Sequence, residues 1–142
     1  MAAPRNASRD APLFVVWGTL SLRYERKELA VSAAGASNLL EEMTRAVVEA
    51  VHPEQVLVFG SHARGDATAD SDVDLLVVEK EPFDLGRSRR HELRQIRRAL
   101  SRFPVPKDVL VYSRDEVERW KASRNHIIRK AYREGKVLYD HE

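Results

Sequence analysis

With 142 residues, 43% of them hydrophobic and 32% charged, the chain holds material for one compact domain and too little for two of ordinary size. It has no cysteine, which excludes disulfides, thiol nucleophiles and thiolate metal sites, and none of its five histidines form a His-x-x-x-His pair, so any metal would be bound by oxygen. The formal net charge is only +2, yet Arg87, Arg89, Arg90, Arg94, Arg97, Arg98 and Arg102 are accompanied by a single acid, Glu92, which describes either a solvated helix face or a contact for phosphates or an acidic partner.

Residues 1–37 differ from the rest: Ala, Pro, Asn and Ser lead into the apolar run Ala11 to Leu22 and then the small-residue stretch Ser32 to Ser37. The apolar run is too short to span a bilayer. Charged residues from Arg23 to Glu28 follow it where an export signal would be uncharged, so a soluble, cytoplasmic chain with no membrane association is expected. Leu13 to Tyr24 shows the imperfect alternation of a strand or hairpin half. This segment reads as an N-terminal extension of uncertain structure ahead of a domain over 38–142, or as upstream translation of a protein starting at Met43.

Asn38 to Val51 has helical periodicity, with Leu39, Leu40, Met43, Val47 and Ala50 on one face and Asn38 and Glu41 placed as a cap. His52-Pro53 ends it. Gln55 to Phe59 and Val73 to Val78 read as buried strands. Leu85 to Phe103 predicts a helix that buries Leu85, Leu93, Ile96 and Leu100 beneath its arginines, stopped by Pro104 and Pro106. Val109 to Tyr112 gives a third strand. Ser113 and Glu116 form a capping-box pattern for a final helical region, broken near Ser123 and closed by Gly135 as a C-cap. The alternation indicates an α/β (α+β) domain with helices packed on a small sheet.

The chemistry concentrates between Gly60 and Asp74. Residues i and i+2 of a strand share a face, so Asp72 and Asp74 project together. Two carboxylates held that close repel unless a cation lies between them, and Mg2+ takes a few carboxylates while leaving positions for substrate phosphates. Gly60 lets the backbone approach a ligand. If Ser61 opens a helical turn, its hydroxyl and the free N–H groups make an anion pocket, to which Arg64 adds a bidentate contact. A P-loop is excluded, since no lysine follows the glycines in the required arrangement. Asp108 opens the third strand. Should that strand lie beside the Asp72/Asp74 strand, three carboxylates converge for two Mg2+ ions about 3.5–4 Å apart, with Asp108 nearest the acceptor as general base. The bland alternative is a turn rich in Asp and Ser ahead of an ordinary strand, and Asp66 and Asp70 are read as shaping that turn. His52 and His126 read as helix-end or surface residues, Trp17 and Trp120 as packing residues or interface anchors.

Gly60-Ser61, ten residues and Asp72-Val73-Asp74 together resemble the signature of the polymerase-beta nucleotidyltransferase superfamily. The run from Gly60 to Val78 is similar to its minimal nucleotidyltransferase (MNT) branch, and the matching region extends from about Asn38 through Asp108 to the closing EGKVLYD. The resemblance implies a small mixed sheet with helices on it, Asp72, Asp74 and Asp108 as catalytic metal ligands, and Gly60, Ser61 and Arg64 as nucleotide binders. It also implies ATP as substrate, with Mg2+ or Mn2+ as cofactor. Only 34 residues follow Asp108, so the acceptor site is expected from a partner or a second copy in a homo-oligomer. In the MNT branch the implied partner is a HEPN-type toxin from a neighbouring gene, with the nucleotidyltransferase acting as antitoxin by attaching AMP to a toxin tyrosine. Competing expectations are a small-molecule acceptor of the aminoglycoside kind, an RNA acceptor drawn to the arginine face, and an antitoxin that neutralises by binding alone.

Overall fold

The structure, a computed structural model, describes residues 31–141, with side chains from Asn38 onward. The strand expected over Leu13 to Tyr24, and Trp17 within it, lie outside these residues. The chain divides into two compact units, of which the first includes residues 31–46 with Leu138 onward and the second is Val47–Val137. No helix among the described residues is long and apolar enough to cross a membrane.

Helix α1 runs Val31–Val51, so it starts seven residues before the expected Asn38 cap and passes straight through it. The alanines at 33, 34 and 36 favour helix strongly enough to carry the single Gly35. In the first unit, Met43, Thr44 and Ala46 are buried, and the Thr44 hydroxyl donates to the Leu40 carbonyl at 2.7 Å, which removes its polarity from the interior.

The second unit holds β1 (Gln55–Phe59), the single turn α2 (Ser61–Arg64), β2 (Val73–Glu79), α3 (Arg89–Leu100), β3 (Lys107–Ser113), α4 (Arg114–Trp120) and α5 (Ile127–Glu134). β1 is antiparallel to β2 and β2 parallel to β3, giving the order β3-β2-β1 within this unit; β4 (Lys136–Asp140) follows α5 in the chain. This is the expected mixed α/β architecture. Pairing sets three cross-strand rows on one face: Gln55–Val78–Tyr112, Leu57–Leu76–Leu110 and Phe59–Asp74–Asp108. Val78 and Tyr112 of the first row, the whole second row and Phe59 lie in an apolar cluster with Val117 of α4 and Ile128 and Ala131 of α5. The Tyr132 hydroxyl of α5 also donates to Gln55 Oε1 at 2.6 Å. The opposite face presents buried Val56, Val58, Leu75, Val77, Val109 and Val111. α3, the crossover between the parallel strands, packs on β3 and buries Ile96 and Leu100.

Two expectations for α3 need correction. It begins at Arg89, where the Ser88 hydroxyl accepts from the His91 N–H at 3.2 Å, and Leu85 is fully exposed. Asp84 takes the Gly86 N–H at 2.9 Å and bridges to Arg87 through the backbone, so residues 84–87 form a turn and not a first helical coil. The capping box at Ser113 and Glu116 is present as expected. Gly135 does end α5, but in extended conformation, not left-handed. Its absent side chain matters for space: a Cβ there would lie 2.2 Å from the Ala131 carbonyl oxygen and 2.8 Å from that of Val58. His126 caps α5 by accepting from the Ile128 N–H, and half-exposed Trp120 stacks on its ring at 4.7 Å.

Candidate functional site

The row Phe59–Asp74–Asp108 ends the apolar face, and the chain leaves β1 there into Gly60. Gly60 adopts φ 73° and ψ −152°, a region essentially open only to glycine. A Cβ at this position would sit 2.3 Å from Asp74 Oδ2, so the loop and the carboxylate approach each other through the missing side chain. The chain then makes one helical turn: the Ala63 and Arg64 N–H groups donate to the Gly60 carbonyl at 3.0 Å, and Gly65, left-handed at φ 89°, donates to Ser61. As the first residues of a turn, Ser61 and His62 have N–H groups with no intrahelical acceptor.

Asp74 and Asp108 are register partners on adjacent parallel strands, about 4.8 Å apart in backbone spacing. Asp72 stands exposed one residue before β2, not within it. Burial raises the Asp74 carboxyl above its usual range, Asp108 and then Asp72 push it further, and Lys130 and His62 oppose them. Of the three carboxylates named from sequence, Asp72 and Asp108 are thus both close enough to act on the charge of Asp74. Among the described residues no group of three acidic, histidine or cysteine side chains forms a ready cage for a metal ion. The donor set nonetheless suits a hard divalent cation: all its ligands are oxygens, and the repulsion on Asp74 is what a cation would relieve.

Arg64 lies at the rim of the loop, with Nε 3.4 Å from Asp66 Oδ2 and Nη1 3.4 Å from Glu134 Oε2. The same Glu134 oxygen accepts the Gly60 N–H at 3.1 Å. Asp66 thus pairs with Arg64 at the surface, while Asp70 is exposed in the turn beside the Thr68–Ser71 hydrogen bonds, as expected of turn residues.

Residues 40–138 match the nucleotidyltransferase domain family. The chain belongs to that family. An inferred protein adenylyltransferase of Methanocaldococcus jannaschii is 30% identical over 89 residues, which cover 61% of this chain and 78% of that protein. The crystal structure of an inferred nucleotidyltransferase from Sulfolobus solfataricus overlays with a TM-score of 0.53 at 22% identity, covering 81% of this chain and 93% of that one, which shows a shared fold. A tri-AMPylated Shewanella oneidensis HEPN toxin in complex with its MNT antitoxin overlays at a TM-score of 0.40 and 15% identity, over 76% of this chain and 72% of that one.

In this nucleotidyltransferase the last helix contributes two contacts and one charge to the site that sequence reading missed. Lys130 and Glu134 of α5 stand four residues apart, hence on one face; Glu134 contacts Gly60 and Arg64, and the charge of Lys130 acts on Asp74. His62, not singled out from the sequence, acts on the charge of Asp74 and keeps a buried Nε2 without a hydrogen-bond partner. Nothing in local spacing marks these residues, because α5 meets the loop across more than 60 intervening positions.

Proposed function

We propose that this chain transfers AMP from ATP to a protein hydroxyl, a tyrosine of a HEPN-type toxin, and so acts as that toxin's antitoxin. The observation that carries the catalytic part is the close approach of Gly60 to Asp74, with Asp108 in register beside it. A phosphate-binding turn and a carboxylate pair thereby share one end of the sheet. The protein acceptor is supported by the 30% identical relative, itself inferred to be a protein adenylyltransferase, and by the sequence resemblance to the MNT branch.

Asp72, Asp74 and Asp108 would hold Mg2+ or Mn2+, which when bound neutralises phosphate charge and activates the attacking oxygen. The Ser61 hydroxyl and the N–H groups of Ser61 and His62 receive the outer phosphates, and Arg64 adds charge at the rim. This aligns the α-phosphorus with the acceptor oxygen. Exposed Asp108 takes the proton of the acceptor hydroxyl, the new oxygen–phosphorus bond forms, the bond to the bridging oxygen breaks, and pyrophosphate leaves.

A second reading, RNA as acceptor, is favoured by one feature: Arg90, Arg94, Arg97 and Arg98 line α3 as an exposed basic row. Label transfer separates the readings. Each α-labelled nucleoside triphosphate is incubated with the protein, Mg2+ and the HEPN protein of the adjacent gene, or with RNA, beside an Asp72→Ala/Asp74→Ala control. Label on the HEPN protein from ATP, absent in the control, is expected. Label on RNA alone, or silencing of the toxin by the double variant, would overturn the proposal.

A further inference from the structure

We propose that Glu134 is a positioning residue of the nucleotide loop: its carboxylate ties the Gly60 amide and the Arg64 guanidinium together, holding Arg64 ready for phosphate. This rests on the nucleotide site proposed above. One oxygen, Glu134 Oε2, accepts from Gly60 N at 3.1 Å and lies 3.4 Å from Arg64 Nη1. Gly60 is the N-cap of α2 and Arg64 its last residue, so a single carboxylate grips the turn at both ends.

The carboxylate is itself held by a rigid support. Ala131, one turn before it, is fully buried in the apolar cluster with Ile128. Gly135, immediately after it, donates to the Ala131 carbonyl at 2.8 Å and passes so close to Val58 that no side chain would fit. The end of α5 is therefore registered against β1, and its position is transmitted through Glu134 to the loop that β1 feeds. Glu134 is mostly buried, with 19% of its side chain exposed, whereas Arg64 is 45% exposed and its other partner, Asp66, is 64% exposed and itself a weak restraint. A long, exposed arginine loses much rotamer freedom when it engages a phosphate, and restraint beforehand reduces that cost. The pairing also offsets the negative charge that Glu134 would otherwise present to a triphosphate.

The test uses full-length protein as Glu134→Ala, Glu134→Gln, Arg64→Ala and the Glu134→Ala/Arg64→Ala double variant. Two quantities are read: amide exchange at Gly60 in nucleotide-free protein, and the dissociation constant for Mg2+·ATP. Faster Gly60 exchange is expected in Glu134→Ala and restoration in Glu134→Gln, whose amide oxygen still accepts the N–H. ATP binding should weaken roughly tenfold in Glu134→Ala, less in Glu134→Gln, and no further in the double variant than in Arg64→Ala alone. Additive losses in the double variant would show that Glu134 does not act through Arg64 and would overturn the inference. So would unchanged or tighter ATP binding in Glu134→Ala, the latter meaning that the carboxylate competes with the triphosphate. Should the wild-type protein bind no ATP, the nucleotide site itself fails, while Gly60 exchange unchanged by Glu134→Ala would separately overturn the anchoring.

Discussion

Gly60 and Gly65 flank the same short turn, both with positive φ, yet the structure assigns them different consequences. Gly60→Ala meets two obstacles. Its backbone lies in a region nearly closed to other residues, at a cost of about 1–3 kcal/mol, and its new Cβ falls 2.3 Å from Asp74 Oδ2. The carboxylate must retreat by about 1 Å to restore ordinary contact, a displacement that in a catalytic constellation costs up to roughly 100-fold in rate. Gly65→Ala has φ 89° and ψ 9° to contend with but meets no atom within 4 Å. It should lose about 1 kcal/mol of stability and little else. Thermal melts should place Gly60→Ala roughly 4–12 °C below wild type and Gly65→Ala about 4 °C below. AMP transfer measured well below both melting points should fall about 100-fold in Gly60→Ala and stay within a few-fold in Gly65→Ala. Equal activity losses in the two variants would refute the steric link between the loop and Asp74.

Glu79, buried at the far end of β2, has its carboxyl pushed up to about 7 by burial and by the neighbouring Glu92, against the pull of Arg87. The folded state therefore keeps a proton that the unfolded chain releases above about pH 4.5, so this contribution to stability is full below that pH and is lost as pH rises through about 7. Wild type should lose about 1–3 kcal/mol between pH 5 and 8 relative to Glu79→Gln, measured by denaturant unfolding, and parallel pH profiles would contradict the assignment. Gly135→Ala forces a Cβ to within 2.2 Å of one carbonyl oxygen and 2.8 Å of another, so about 1–3 kcal/mol of stability should go, read in the same unfolding experiment. A variant as stable as wild type would show that α5 and β1 are less closely registered than described.

Local patterns made the strands readable. The runs Gln55–Phe59, Val73–Glu79 and Lys107–Ser113 are short, β-branched and bounded by Gly, Pro or a cap, and each is a strand. Asp108 was named as an acid near the start of a strand that would lie beside the Asp72/Asp74 strand, and the register does pair it with Asp74. Leu85 misled because hydrophobic spacing alone extended α3 backwards, whereas Gly86 and the Ser88 cap start the helix later. The start of α1 misled for the opposite reason: a cap sequence at Asn38 is powerless when the preceding alanines already favour helix. Glu134 was beyond sequence reading, since its partners Gly60 and Arg64 lie at separations of 74 and 70 residues. Likewise, the occupant of the space at Gly60 becomes visible only once β1 and β2 are paired.

If the carboxylates beside Gly60 build a metal-dependent nucleotide site, calorimetric titration of ATP will show it. Wild-type protein should bind ATP in Mg2+ or Mn2+, lose most of that affinity in chelator, and lose it in Asp72→Ala/Asp74→Ala at unchanged fold by circular dichroism. Equal ATP binding by wild type and the double variant, with or without divalent cation, would contradict the account.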